Sequence, residues 1–551
     1  MRNRVTFIAL LLALVLVFQC VCFTNAEEDK EPITFTAFST YASGPEWGSD
    51  PVSAAITART GVSLDILYNV SDNAEQMIGM YIAGNDLPDL FLSLDNTHLS
   101  QLIAADAVID LSDYMEEGGE NIKAVMGEDY NAMRSEVDGK LYGFNRQYGL
   151  EASVPNYTFN VNYALLKEFD FPVITTIEEL NDYVEQYIEL YPEYNGLKTV
   201  GYMTMGAGWT FNIGFNNAAL AAAGFKDNGN YYIDDETLEA TIGIRTPQAK
   251  QYFKWLNELN RKGLFAIDSF TFDQGAFTNA ATQGNVLVCM NPEWVMSGVN
   301  SALREAGLND RQFAQLPIYV NEEVAANSKL NESDSIGSWK SVISKSCKDP
   351  DRAFEFFDTM WSYEMQILCN WGVEGVHYDV DENGVRTLKP EVIEAHNTSS
   401  TFTQDTGIGQ YTYWSCGDLA KDDTNQYIIP FTTKDAFWDN YDEETREVLR
   451  AYNPEAMTWI DLFPAPSISY YGLAWKLTLP DDSEGAVAET IVNDELRSRY
   501  VYNLVTAEDE DAYEAIWDEF VGKCLEAGIE KREEELSTLL KARVELWYGK
   551  D

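Results

Sequence analysis

Residues 33–94 switch between a two-residue and a helical period, and this switching restricts the fold more than any other feature of the 551-residue chain. "ITFTAF" (33–38) alternates and is rich in β formers, so it predicts a strand. "DPVSAAITARTG" (50–61) predicts a helix with Asp50 as its cap, Pro51 at its first position and Gly61 at its end. "VSLDIL" (62–67), "DNAEQMIGMYIAG" (72–84) and "DLFLSL" (89–94) continue as strand, helix and strand. Strand–helix–strand–helix–strand requires right-handed crossovers and a largely parallel sheet. Ligands of such sheets sit beyond the carboxyl ends of the strands, which here are 39–47 and 94–98.

The rest of the chain has the same α/β style. "TTIEELNDYVEQYIEL" (175–190) opens with a capping box, Thr176 with Glu179. Helices are expected over 245–263 and 348–361, a strand over 285–290, and one or two packed helices in the last sixty residues. At ~150 residues per domain, this length corresponds to two to four lobes.

The first 26 residues form an export leader: Arg2 and Arg4, an apolar run over 5–18 too short to span a bilayer, and small residues before a cleavage site after Ala26. A lipid anchor at Cys20 stays open, although Gln19, not a small residue, precedes it. The formal net charge is −51, and losing the leader removes two more positive charges. That field opposes phosphate backbones and anionic headgroups, which makes nucleic acid a poor partner and disfavours polyanionic ligands. Beyond the leader, Cys289, Cys347, Cys369, Cys416 and Cys524 are widely spaced with no C-x-x-C, so they are expected as buried thiols without metal, redox role or disulfide scaffold.

Four stretches, taken in order, resemble a known family. "IAGNDLPDLFL" (82–92), "DGKLYGF" (138–144), "NVNYALLKEFDF…TTIEEL" (160–180) and "SKSCKDPDRAFEFFDTMWSYEMQILCNWGVEGVHYDVDENG" (344–384) are similar to bacterial extracellular solute-binding proteins, family 1, in their long-chain, LplA-like branch. The resemblance implies a two-lobed, periplasmic-binding-protein-like α/β fold (type II) that closes on a solute and delivers it to the permease subunits of an ABC transporter. It also implies a sugar or oligosaccharide as the solute, and no enzyme activity, cofactor or metal. The leader departs from the lipid-anchored pattern of Gram-positive members. On this reading the protein is an exported monomer, extracellular or at the cell surface (periplasmic in a cell with two membranes), with membrane contact only through Cys20. The expected division is a leader (1–26), one lobe from 27–155 and about 318–375, a second from 156–317 and about 376–480, and C-terminal helices (481–551) packed on them. Hinge strands are expected near 150–160 and 312–340.

Sugar recognition needs aromatic faces against C–H-rich sugar faces, with acids and amides on the hydroxyls. The candidates are loop residues at strand ends or lobe crossings: Tyr41, Trp47, Asp95, Trp209, Glu293, Trp294, Trp339 and Trp414. Trp255, Trp361 and Trp517 fall at helical spacing and are expected in the core. "DVDENG" (379–384) suggests a calcium loop, but the closing acid of such a loop falls on Pro390. A hairpin turned at Asn383-Gly384 is the simpler reading. No G-x-S-x-G occurs, so His377 has no nucleophile elbow to serve. The alternatives are a secreted glycoside hydrolase with paired carboxylates, a receptor of the same fold for peptides or another solute, and a surface lipoprotein without transport role.

Overall fold

The structure, a computed structural model, describes residues 31–41, 43–70, 73–135, 138–144, 157–226, 228–328, 330–332, 339–399, 401–414, 420–464, 466–472, 474–477 and 483–549. The leader, Cys20 and Cys416 lie outside these residues.

The strands of the two larger sheets are, in chain order, β1 (Ile33–Ser39), β2 (Val62–Tyr68), β3 (Leu90–Leu94), β4 (Gly143–Phe144), β5 (Phe159–Asn162), β6 (Val200–Met203), β7 (Val286–Cys289), β8 (Phe313–Leu316) and β9 (Lys340–Ile343). The first sheet has the order β2-β1-β3-β9-β4 and the second β8-β5-β7-β6. In the first, β1 pairs parallel with β2 and β3, and β9 returns antiparallel beside β3. In the second, β7 is parallel to β6 and antiparallel to β5.

Helix α1 (Pro51–Thr60) begins where Asp50 accepts the Ser53 N–H and ends at Gly61, whose φ of 66° is left-handed. Helix α2 (Ala74–Gly84) is capped by Asn73 and ends on Asn85 rather than on Gly84. After β3 comes α3 (Asn96–Ala104), capped by Asp95. The capping box of Thr176 and Glu179 forms as the sequence predicts.

Each sheet is covered on both faces. In β1, Phe35 and Ala37 enter one apolar cluster and Phe38 the other, the two-residue period of a pleated strand. Every residue of β3 is buried, as in a sheet wrapped on both sides. Full burial of each such Leu or Phe stabilises the fold by roughly 1.5–3 kcal/mol. The first core draws on residues up to 144 and again on 342–428, while the second draws on 159–320 and 448–540. Phe402, Ile408, Tyr411, Trp414 and Ile428 pack in the first core, within a stretch the sequence reading gave to the second lobe. The motif residue Asp89 ties the first sheet together: it accepts N–H groups of Thr36 (2.8 Å) and Lys348 (2.9 Å) and pairs with the Lys348 ammonium (3.2 Å). Burial opposes its charge, yet these donors outweigh burial and hold its carboxyl below the usual range. Cys289, Cys347, Cys369 and Cys524 are buried free thiols. Among the described residues no helix is long and apolar enough to cross a membrane.

Candidate functional site

The strand-end rule leads first to α3. Asp95 spends its carboxylate on the helix: Oδ1 accepts the backbone N–H of His98 at 2.9 Å and lies 2.9 Å from the His98 ring Nδ1. The next two turns then present Thr97, Ser100, Gln101 and Ala104 along one side of a cavity of about 1070 Å³. Glu75 of α2 extends that side.

The opposite side belongs to the second sheet and the C-terminal helices. Beyond β6 the chain turns through Gly206–Gly208 into Trp209, then enters a π-helix, Asn212–Asn217. A Cβ on Gly214 would stand 1.8 Å from the Met205 carbonyl oxygen, so only glycine lets the helix backbone rest on the strand end. Trp209 is 63% exposed and stacks on Trp294, with ring centroids 6.3 Å apart and planes 19° from parallel. Trp294 is the second residue of α4 (Glu293–Glu305), which follows Pro292 just beyond β7. Burial raises the proton affinity of Glu293 beside it.

The floor is a set of buried polar contacts. The Tyr231 hydroxyl donates to Glu489 Oε1 at 2.9 Å, and Arg532 Nε stands 2.7 Å from Glu489 Oε2. The Arg532 guanidinium lies 5.5 Å from the Tyr231 ring centroid. Asn230 Oδ1 accepts from Asn216 Nδ2 and from Arg497 Nη1, both at 2.8 Å. Arg497 belongs to a second π-helix, Ile491–Arg497, and also donates to Asn493 Oδ1 at 3.1 Å. Burial lowers the Arg497 pKa to about 10, against the pull of Asp494 and Glu489. π-Helical turns recur at functional sites, and here two of them meet at one asparagine. Trp475 completes this side, seated where Gly229, at φ 67°, lets it close in. Three aromatic rings (Trp209, Trp475 and Tyr231) and the polar groups of Asn212, Asn217, Asn230 and Glu489 therefore face a helix bearing hydroxyl and amide side chains. Such a cavity matches a solute with apolar faces and many hydroxyls.

The remaining sequence candidates fall elsewhere. Tyr41 stacks on Tyr413 at 5.3 Å, at the end of β1. Trp47 packs edge-on against Tyr411 at 4.9 Å and donates Nε1–H to Thr57 Oγ1, lining a separate hollow along β2 with Tyr68. Trp339 is half-buried just before β9, in the left-handed region at φ 58°. Trp414 offers no face to a solute: it is 1% exposed and packed 5.3 Å from both Phe356 and Phe357. The expectation of ligand contact at Trp414 is thereby corrected, because its loop folds back into the first core. Sequence reasoning missed Tyr231, Trp475, Glu489 and Arg532, which meet only in three dimensions.

Residues 378–388 form the expected hairpin, Tyr378–Val380 against Arg386–Leu388. Asp381 accepts the N–H groups of Asn383 and Val385, and Asp379 pairs with Lys389 at 3.7 Å. His377 is buried and takes the Val373 N–H on Nδ1 at 2.9 Å. Burial first, and Lys389 second, keep its proton affinity below the ordinary value. Among the described residues no group of three His, Cys, Asp or Glu could hold a metal ion.

Comparison with known proteins gives concordant results. The chain is 22% identical over 424 residues to "Lipoprotein LipO" of Bacillus subtilis, covering 74% of this chain and 79% of that one. An HMO-binding, ABC-transporter-associated solute-binding protein from Bifidobacterium longum infantis superposes with a TM-score of 0.66 at 14% identity, over 93% of this chain and 99% of the other. The ABC-transporter substrate-binding protein FusA of S. pneumoniae, in complex with kestose, superposes with a TM-score of 0.65 at 17% identity, over 92% and 99%. These structures share the two-lobed α/β fold. The family model for bacterial extracellular solute-binding proteins matches residues 41–367, more than half of the sequence, and the chain belongs to that family.

Proposed function

We propose that this protein is the extracellular receptor of an ABC importer, and that it captures a sugar or oligosaccharide between its two lobes and releases it unaltered. The observation that carries this reading is the cavity shared by α3 and the second body, with exposed Trp209 on one side and hydroxyl and amide side chains on the other. Trp209 supplies the first contact, with Trp294 stacked on it and Glu293 next to Trp294, while Tyr41, Asp95 and Trp339 are the first lobe's strand-end candidates outside this cavity. The printed names of two structural neighbours, one HMO-binding and one holding kestose, support a carbohydrate.

Closure follows from the chain's path. In this division the first lobe comprises residues to 144 and about 340–431, and the second 157–320 with the C-terminal portion. The described chain leaves the first lobe after residue 144, re-enters it at 340 and leaves it again after 431, and a solute touching both lobes stabilises the closed form by its differential contacts. Export by the N-terminal leader fits a relative that is a lipoprotein, and anchoring at Cys20 would put cleavage before Cys20 in place of after Ala26.

The test is a thermal-shift screen over neutral mono- and oligosaccharides with a peptide panel beside it. A ligand at about 100 times its Kd stabilises the native form by about 2.7 kcal/mol, a shift of several degrees. A response to peptides alone overturns the sugar reading, and new reducing ends after incubation overturn the non-enzymatic one.

A further inference from the structure

We propose that the solute is a neutral rather than an acidic sugar chain, and that Glu489 is the residue that reads its hydroxyls. This rests on the carbohydrate reading and narrows it. Among the described lining residues of the cavity the charged ones are Glu75, Glu489 and Arg532. Arg532 is the one cation of the three, and Glu489 already holds it at 2.7 Å. Its side chain is 7% exposed, its Nη1 is buried without a hydrogen-bond partner and its guanidinium carbon lies 5.5 Å from the Tyr231 ring centroid, so its charge sits beneath the cavity floor, balanced by Glu489. Arg497 lies behind the same wall with Nη1 given to Asn230 and Asn493. A uronate or sulfated sugar entering here would bring its charge beside two carboxylates and a single buried guanidinium whose charge Glu489 already balances. The whole chain's formal charge of −51 works in the same direction.

A neutral sugar meets the opposite situation. Glu489 receives Tyr231 on one carboxylate oxygen and Arg532 on the other. Each oxygen of an ionised carboxylate has two acceptor positions, so each keeps one for a further donor. Two acceptors about 2.2 Å apart on a fixed plane suit two hydroxyls on adjacent sugar carbons. The Tyr231 and Arg532 contacts fix the rotamer of Glu489, so little freedom is lost when the sugar binds. Trp475 and Trp209 line the same space and supply flat faces for the ring.

The experiment is isothermal titration of the full-length exported chain with matched pairs of equal length: kestose, xylotriose, cellotriose and maltotriose against trigalacturonate and trimannuronate. The ligands that bind are expected to be neutral, with every acidic trimer at least tenfold weaker. Glu489→Gln keeps the shape but replaces one acceptor by a donor, and is expected to weaken the neutral ligand about tenfold. Glu75→Gln, on an exposed position of the opposite side, keeps the fold if the first variant does not, and is expected to narrow the gap between neutral and acidic sugars. An acidic trimer binding as tightly as the best neutral one overturns the inference and leaves the carbohydrate reading standing. So does unchanged neutral affinity in a folded Glu489→Gln. No heat from any sugar, together with a response to peptides, overturns both.

Discussion

The two sides of the cavity are made in different ways. On the first, one local stretch provides nearly everything: β3 ends, Asp95 caps α3, and the helix presents short, uncharged side chains. On the second, residues from 209–217, 229–231, 475–477 and 486–532 converge, and they bring the aromatic rings of Trp209, Tyr231 and Trp475, the charges of Glu489 and Arg532 and the amides of Asn212, Asn217 and Asn230. Buried hydrogen bonds through Asn230, Arg497 and Glu489 brace that second side. The difference teaches a division of labour. A pre-organised surface with aromatic faces sets affinity, because it loses little freedom when a ligand arrives. On the proposed function, a simple polar helix would need only to swing in and meet hydroxyls, so its individual contacts would count for less.

The largest expected effect lies away from both sides. Trp414→Ala removes a fully buried indole from between Phe356 and Phe357 and is expected to cost about 3–5 kcal/mol, read by chemical denaturation, with sugar affinity unchanged in the folded fraction. Asn230→Ala breaks the brace and leaves Arg497 and Asn216 short of an acceptor. About 1–3 kcal/mol of stability is expected to go with it, together with a several-fold loss of affinity. Gln101→Ala, on the helix side, is expected to change affinity by no more than about threefold by titration calorimetry, roughly what one exposed neutral hydrogen bond contributes. A tenfold loss there would place the affinity on the wrong side.

The smallest effect is a pH dependence. Burial raises the Glu293 carboxyl above its ordinary value, so the folded protein holds that proton more tightly than the unfolded chain does. The associated stability is complete below the ordinary carboxylate range and is lost as pH rises through the folded value. Glu293→Gln is therefore expected to melt with wild type at pH 4 and above it at pH 7. Equal melting at both values would show that the carboxyl is solvated.

Much of the first sheet was legible because its signals are local. Asp50, Pro51 and Gly61 bound one helix, Thr176 and Glu179 another, and Asn383-Gly384 fixes a hairpin turn. Trp209 and Trp294 were legible as tryptophans following strands, and they stack together, although Trp294 stands in the first turn of α4 and not in a loop. Asp95 shows how one signal carries two meanings: an acid at a strand end can meet ligand, but one just before a helix caps it, and capping uses the oxygen seen here. Trp414 was not legible, because nothing in "YTYWSCGD" shows that Trp414 returns to pack on a helix some fifty positions earlier. Tyr231, Trp475, Glu489 and Arg532 were illegible for the same reason: three hundred residues separate the first from the last, and no period connects them.

The central claim is that the solute is held against Trp209. Titration calorimetry of wild type and Trp209→Ala with the best neutral sugar tests it most directly. Trp209 is 63% exposed, so its loss is expected to leave the unliganded melting temperature within a degree or two. Affinity is expected to fall at least tenfold, about 1.4 kcal/mol, the scale of one lost aromatic contact. Equal affinity in the two proteins would contradict the account and move the site away from this cavity.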